Sequence, residues 1–327
     1  MKWKDMRPSR NVRDRRGEES GLPGGIGTGM GSGGSYGLGR ILQLLFFLPG
    51  KSKWLVLLLL AFMFFGGGNI LGDLMGGQTT DTHVTYDQDA KPETNQQTNP
   101  NQVEQVETGK DEGYKYMAAV LGNTEDFWNQ TFQAAGQTYN MPQLEIYSGV
   151  TKTAGCGFGQ AQAGPFYCPA DATVYIDLSF MDDLHSRYNA PGDFAMAYVV
   201  AHEVGHHIQN ELGIMDEYTR LRSQVSEKDA NKLNVRLELQ ADYFAGAWAK
   251  YANDNGFLEL GDIEEAVQAA HAVGDDTIQK QTYGTVVPDS FTHGSSKQRQ
   301  TWFMHGYKHG DLKNSDAFNV VLPGESE

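Results

Sequence analysis

The sequence predicts an α+β domain in which a small N-terminal sheet precedes a mainly helical C-terminal part. Two short runs rich in β-branched and aromatic residues, Leu144–Tyr147 and Thr173–Leu178, read as strands. From Phe180 to Ala272 apolar residues recur instead at helical spacing. Ahead of Tyr114 lie only polar or glycine-rich stretches and two apolar runs, so a single folded body is expected over residues 114–310.

Residues 1–53 hold ten Lys or Arg against four Asp or Glu. Met1 to Arg16 is charged and polar, and Gly17 to Gly39 is mostly Gly and Ser. Neither carries enough apolar surface to fold alone, which predicts a disordered basic arm. Residues 54–71 run from Trp54 to Leu71 without a charge, and 18 residues are just enough for a transmembrane helix. Arg40, Lys51 and Lys53 flank its near side, whereas the first basic residue beyond it is Lys91. By the positive-inside rule the arm is cytoplasmic, the protein single-pass and the body exported. Ile41 to Leu48 is too short to span and is broken off by Pro49-Gly50. Residues 72–113, rich in Gln, Thr, Asn, Asp and Glu, read as a flexible linker.

The body opens with helical spacing from Tyr114, and Thr124-Glu-Asp-Phe127 has the form of an N-cap with an acidic first turn. The two strands bracket a loop that holds the only two cysteines, Cys156 and Cys168. An exported location permits a disulfide between them, and closing this loop stabilises the fold by about 3 kcal/mol. Free buried thiols or metal ligation are the alternatives, although no Cys-x-x-Cys spacing supports zinc there. Helices are expected over Phe180 to Tyr188, Phe194 to Asn210 with Asp193 as its cap, Asp216 to Asn253, and Ile263 to Ala272. Residues 311–327 form a C-terminal tail.

The net charge of −15 conceals the asymmetry of the chain, since from Gly72 onward there are 16 basic and 37 acidic residues. A nucleic-acid groove needs clustered Lys and Arg on a folded face, so that class is excluded.

The chemistry centres on His202-Glu203-Val204-Gly205-His206. Two imidazoles four apart stack on one helix face and can aim ring nitrogens at one ion. Glu203 sits beside the same pocket, where it can take a proton from zinc-bound water, whose pKa zinc lowers to about 7. A catalytic zinc needs a third protein ligand, and the next helix supplies a candidate in Glu238. Asp242, one turn on, can accept the free N–H of a ligand histidine. Both acids lie among Leu233, Leu237, Phe244 and Trp248, where an unpartnered carboxylate is costly. The ordinary alternative is two solvated acids on a helix. His207 is rotated about 100° from His206, and His83, His185, His271, His305 and His309 lack a partner at ligand spacing.

The His-Glu-x-x-His and Glu238-x-x-x-Asp242 pair resembles the gluzincin pattern. The ordered set of Lys2-Trp-Lys-Asp-Met-Arg7, Asp14-Arg-Arg-Gly17, Gly164-Pro-Phe-Tyr-Cys-Pro169, the zinc helix, Glu238 to Gly246 and His293-Gly-Ser-Ser296 is similar to the membrane-anchored bacterial family designated "putative neutral zinc metallopeptidase". That resemblance implies a zincin-like fold, one Zn2+ per chain, a peptide or protein substrate and a bacterial inner membrane, with the catalytic domain periplasmic or extracellular. His293-Gly-Ser-Ser-Lys-Gln-Arg299 also resembles the His-Pro-Ser-x-x-x-Arg segment of integral-membrane metallopeptidases, with Gly294 in place of proline. It implies that His293 approaches the substrate oxyanion. The competing expectation is a non-catalytic, zinc-stabilised exported binding or scaffold protein. The sequence leaves the oligomeric state open.

Overall fold

Helical spacing that begins at Tyr114 does not stop at Thr124, and a single helix α1 (Glu112–Ala134) results. The computed structural model describes residues 1–18 and 111–323. These belong to one compact unit, whereas the second, Leu22–Gln97, lies outside the described residues. The cap of α1 is Asp111, whose side chain accepts from the Tyr114 N–H. The cap expected at Thr124 is corrected: its hydroxyl bonds back to the Leu121 carbonyl inside the helix, at 2.7 Å.

The expected disordered arm is also corrected over its first 18 residues. Strand β1 (Val12–Asp14) runs parallel to β2 (Gln143–Tyr147), with Val12 opposite Leu144 and Asp14 opposite Ile146. The segment carries little apolar surface of its own, but its cations and amides meet carboxylates of the acidic body. Arg7 and Asn11 bond Glu125, Arg15 bonds Glu145, and Arg16 bonds Asp111. The Met1 ammonium lies 2.9 Å from Asp193 and 3.4 Å from Asp262. Charge that reads as disorder when the segment is taken alone is complementary once the two parts meet.

The sheet order is β1-β2-β6-β5, with β2 and β6 (Thr173–Asp177) parallel and β5 (Phe166–Cys168) antiparallel at the far edge. Strands β3 (Val150–Lys152) and β4 (Phe158–Gln160) form a separate hairpin. A disulfide joins Cys156, between β3 and β4, to Cys168 at the end of β5, with the Cα atoms 5.9 Å apart. Replacing both cysteines with serine is expected to lower unfolding free energy by about 2–4 kcal/mol, read from denaturant curves.

After the sheet come α2 (Ser179–Ser186), α3 (Asp193–Glu211), α4 (Ile214–Arg222), α5 (Glu227–Asp254), α6 (Asp262–Ala272), α7 (Asp275–Tyr283) and α8 (Ser296–His309). The stretch expected as one helix from Asp216 is two, because Ser226 caps α5 by accepting from the Asp229 N–H. Asp193 is the first residue of α3 rather than its cap, a position taken by Gly192 at φ 111°. Helix α3 is buried from Phe194 to Gln209 and is the centre of the core. Phe194 stacks on Trp248 of α5, with centroids 5.6 Å apart. Helices α5 and α8 approach closely at two glycines: a Cβ on Gly246 would fall 1.9 Å from the Phe303 carbonyl oxygen, and one on Gly306 1.9 Å from that of Tyr243. The expected tail also packs, since Arg236 donates to the Ala317 carbonyl and Gln240 to that of Ser315. Mixed α+β architecture, mostly helical with a small sheet, is therefore what the chain adopts. Among the described residues no helix is long and apolar enough to cross a membrane. The expected span at 54–71 lies outside them, as do residues 19–53 of the arm and 72–110 of the linker.

Candidate metal centre

The pattern Ala-Met-Ala-Tyr-Val-Val-Ala leading into His202 is apolar on nearly every side and makes the first turns of α3 a core helix. His202 and His206 follow on one face, their rings edge to face with centroids 4.9 Å apart. Gly205 between them lets α5 close in, because a Cβ there would sit 2.9 Å from the Ala241 carbonyl oxygen. Ala241 lies between Glu238 and Asp242, so this one close approach brings both acids to the histidine pair.

The Glu238 carboxylate stands 3.1 Å from His202 Nε2 and 3.5 Å from His206 Nε2. Ligand atoms from His202, His206 and Glu238 all lie within 4.8 Å of one another. Donors held tetrahedrally at zinc bond lengths are separated by about 3.3 Å, so this set fits a zinc ion. His202 Nδ1 meets Asp242 Oδ1 at 2.9 Å, and His206 Nδ1 meets Gln209 Oε1 at 2.8 Å. Both partners accept, so each Nδ1 carries a proton and each Nε2 is turned toward the Glu238 carboxylate, the position a ligand nitrogen would take. Burial pulls the His202 pKa down, but Asp242 and Glu238 outweigh it and push it up to about 9. Burial likewise opposes ionisation of Glu238, yet the charges of His206 and His293 and hydrogen bonds from His202 and His206 hold its carboxyl well below the usual range.

Asp242 is fully buried and takes four donors. Oδ1 accepts from Tyr198 Oη at 2.6 Å, from His202 Nδ1 and from Arg299 Nη2, and Oδ2 accepts from Arg299 Nε at 2.9 Å. Burial resists its charge, but Arg299 and His202 keep it ionised. The third edge of Arg299 donates to the Val273 carbonyl at 3.3 Å, which ties α8 to the end of α6.

Glu203 is buried at 8% exposure and lines the same cavity of about 400 Å³ as His202, His206 and Glu238. Among the described residues no donor reaches its carboxylate. His293 stands at the cavity lip, half open to solvent, with Nδ1 3.3 Å from Asp275 Oδ1. Its pKa is raised: burial lowers it, and Glu238 and Asp275 overcome that. Asp275 Oδ2 also accepts the backbone N–H groups of Thr292, His293 and Gly294, at 2.7, 2.6 and 3.0 Å. One carboxylate thus shapes the loop that presents His293.

Asp275→Ala is expected to lower stability by about 1.5–3 kcal/mol and to speed amide exchange at residues 292–294, measurable by hydrogen exchange. The Asp275 pKa is lowered against its burial, chiefly by His293. Its contribution is therefore complete above about pH 4, the ordinary aspartate value, and is lost as pH falls through the depressed value.

The structure thus brings His202, His206, Glu238, Glu203 and His293 to one cavity, with Asp242 buried behind His202, as Cys156 and Cys168 pair elsewhere. Sequence reasoning missed Tyr198, Gln209 and Asp275. Tyr198 precedes His202 by one helical turn and Gln209 follows His206 by three residues, so helical spacing offered a signal for both; Asp275 offered none. His207, fully buried, bonds Tyr167 Oη at 3.0 Å and the Asn140 carbonyl, and so anchors β5 to α3. His185, His271, His305 and His309 do not line the cavity.

The fold and site define an α+β domain with a His-Glu-x-x-His centre completed by a glutamate from the next long helix. The chain belongs to the family described as "Putative neutral zinc metallopeptidase", which it matches over residues 1–318. It is 43% identical over 322 residues to the uncharacterized protein YpfJ of Escherichia coli (strain K12), covering 98% of this chain and all of that one. The uncharacterized protein Rv2575 of Mycobacterium tuberculosis (strain ATCC 25618 / H37Rv) is 43% identical over 194 residues, covering 56% of this chain and 64% of its own. No solved structure matches the chain.

Proposed function

We propose that this protein is a zinc-dependent peptidase of zincin-like fold that hydrolyses peptide bonds in exported proteins. The observation that carries the reading is the Glu203 carboxylate, which opens without a protein donor into the cavity where His202, His206 and Glu238 converge. A site that only stabilised the fold would have no use for a carboxylate left in that position. When bound by those three residues, zinc supplies a Lewis acid for the scissile carbonyl and acidifies water. Glu203 accepts the proton of the attacking water and passes it to the leaving amine nitrogen. With Nδ1 turned to Asp275, His293 keeps Nε2 to donate toward the oxyanion. Arg299, engaged by Asp242 and Val273, holds Asp242 against His202 rather than meeting substrate.

The test is full-length protein in detergent, incubated with a denatured, fluorescently labelled casein. Cleavage is expected to cease on chelation and to return when zinc is restored. If zinc-loaded protein left the casein intact, and proteins of the exported compartment were cut identically in cells with and without it, the reading would be overturned.

A further inference from the structure

Residues 1–18 do not merely touch the domain; they complete it. Leu144 donates its N–H to the Asn11 carbonyl at 2.8 Å, and Ser9 donates to that of Ala118 at 2.7 Å. Glu125 is 1% exposed, and its carboxylate is satisfied wholly from this segment, by Ser9 Oγ at 2.6 Å, Asn11 Nδ2 at 2.8 Å and Arg7 at 2.9 Å. Without the segment it would be a buried carboxylate stripped of donors, which is costly. Gly122 is shaped for the contact, since a Cβ there would fall 2.1 Å from the Arg7 carbonyl oxygen.

Between these two parts the sequence carries the uncharged 18-residue run at 54–71. A chain that crossed a bilayer once there would put Ser9 and Glu125 on opposite faces, and their hydrogen bond could not form. The Cys156–Cys168 disulfide adds that the domain resides where thiols stay oxidised. We infer that residues 1–18 and 111–323 lie together on the oxidising face of the membrane. The basic residues of 1–18 then serve as partners for the acidic domain rather than as a cytoplasmic anchor. The inference is independent of what the cavity hydrolyses.

Sidedness is testable on the full chain in intact bacteria, with a membrane-impermeant maleimide and single substitutions at exposed positions, Arg10→Cys and Gln224→Cys. Both are expected to label before permeabilisation and to equal extents. If Arg10→Cys labelled only after permeabilisation while Gln224→Cys labelled before it, the shared face would be disproved. If both required permeabilisation, the oxidising face would be. Gly122→Val tests the docking separately: trypsin is expected to cut after Arg10 at least tenfold faster in this variant than in the parent. Equal rates would remove the contact on which the inference stands.

Discussion

Glu203→Gln is expected to keep one zinc ion per chain and to reduce casein turnover by about 10²–10⁴-fold, the usual contribution of a positioned general base. The substitution preserves side-chain shape and removes only the ability to take a proton. None of the ligand contacts passes through Glu203, because His202 and His206 are oriented by Asp242 and Gln209 and converge with Glu238. Metal analysis of the purified variant and a turnover assay read the two effects independently. Loss of zinc together with activity would make Glu203 a structural residue, and undiminished turnover would remove it from the mechanism.

Asp242→Ala is expected to lower the stability of the metal-free protein by about 3–5 kcal/mol, because it strands the Arg299 guanidinium in the core. The same change leaves Tyr198 Oη and His202 Nδ1 without their acceptor, and zinc affinity is expected to fall about 10–100-fold. A paired Asp242→Leu and Arg299→Met variant separates these effects. With neither charge left unpaired it is expected to regain stability, while His202 remains unoriented and zinc stays weak. Urea unfolding and competition against a chromophoric chelator measure the two quantities. Equal zinc affinity in the parent and the paired variant would show that Asp242 does not act through His202.

The candidate ligand set was legible in the sequence because helical periodicity is local. His202 with His206, and Glu238 with Asp242, are each four apart, and i, i+4 residues share a face in any regular helix. The partnering of Asp242 by Arg299 joins residues 57 apart, and only the close packing of α5 on α8 at Gly246 and Gly306 brings them together. The break at Ser223–Ser226 was missed because amphipathic spacing continues across it, although Ser226 three residues before Asp229 is a capping pattern. Asp275 was silent for a different reason. Its work is done on the backbone of residues 292–294, and backbone amides have no side-chain signature.

By itself the sequence determined an α+β domain, a cysteine pair able to staple a loop, and the residues that converge on a candidate metal site. Each of those follows from local spacing or from residue chemistry that does not depend on distant partners. Tertiary structure alone decided that residues 1–18 belong to the domain. Their charge makes them poor candidates for folding alone, and the property that folds them is complementarity to Glu125, Glu145 and Asp111, more than ninety residues away. A composition count measures what a segment can bury by itself; it does not register the carboxylates that another part of the chain has left for it.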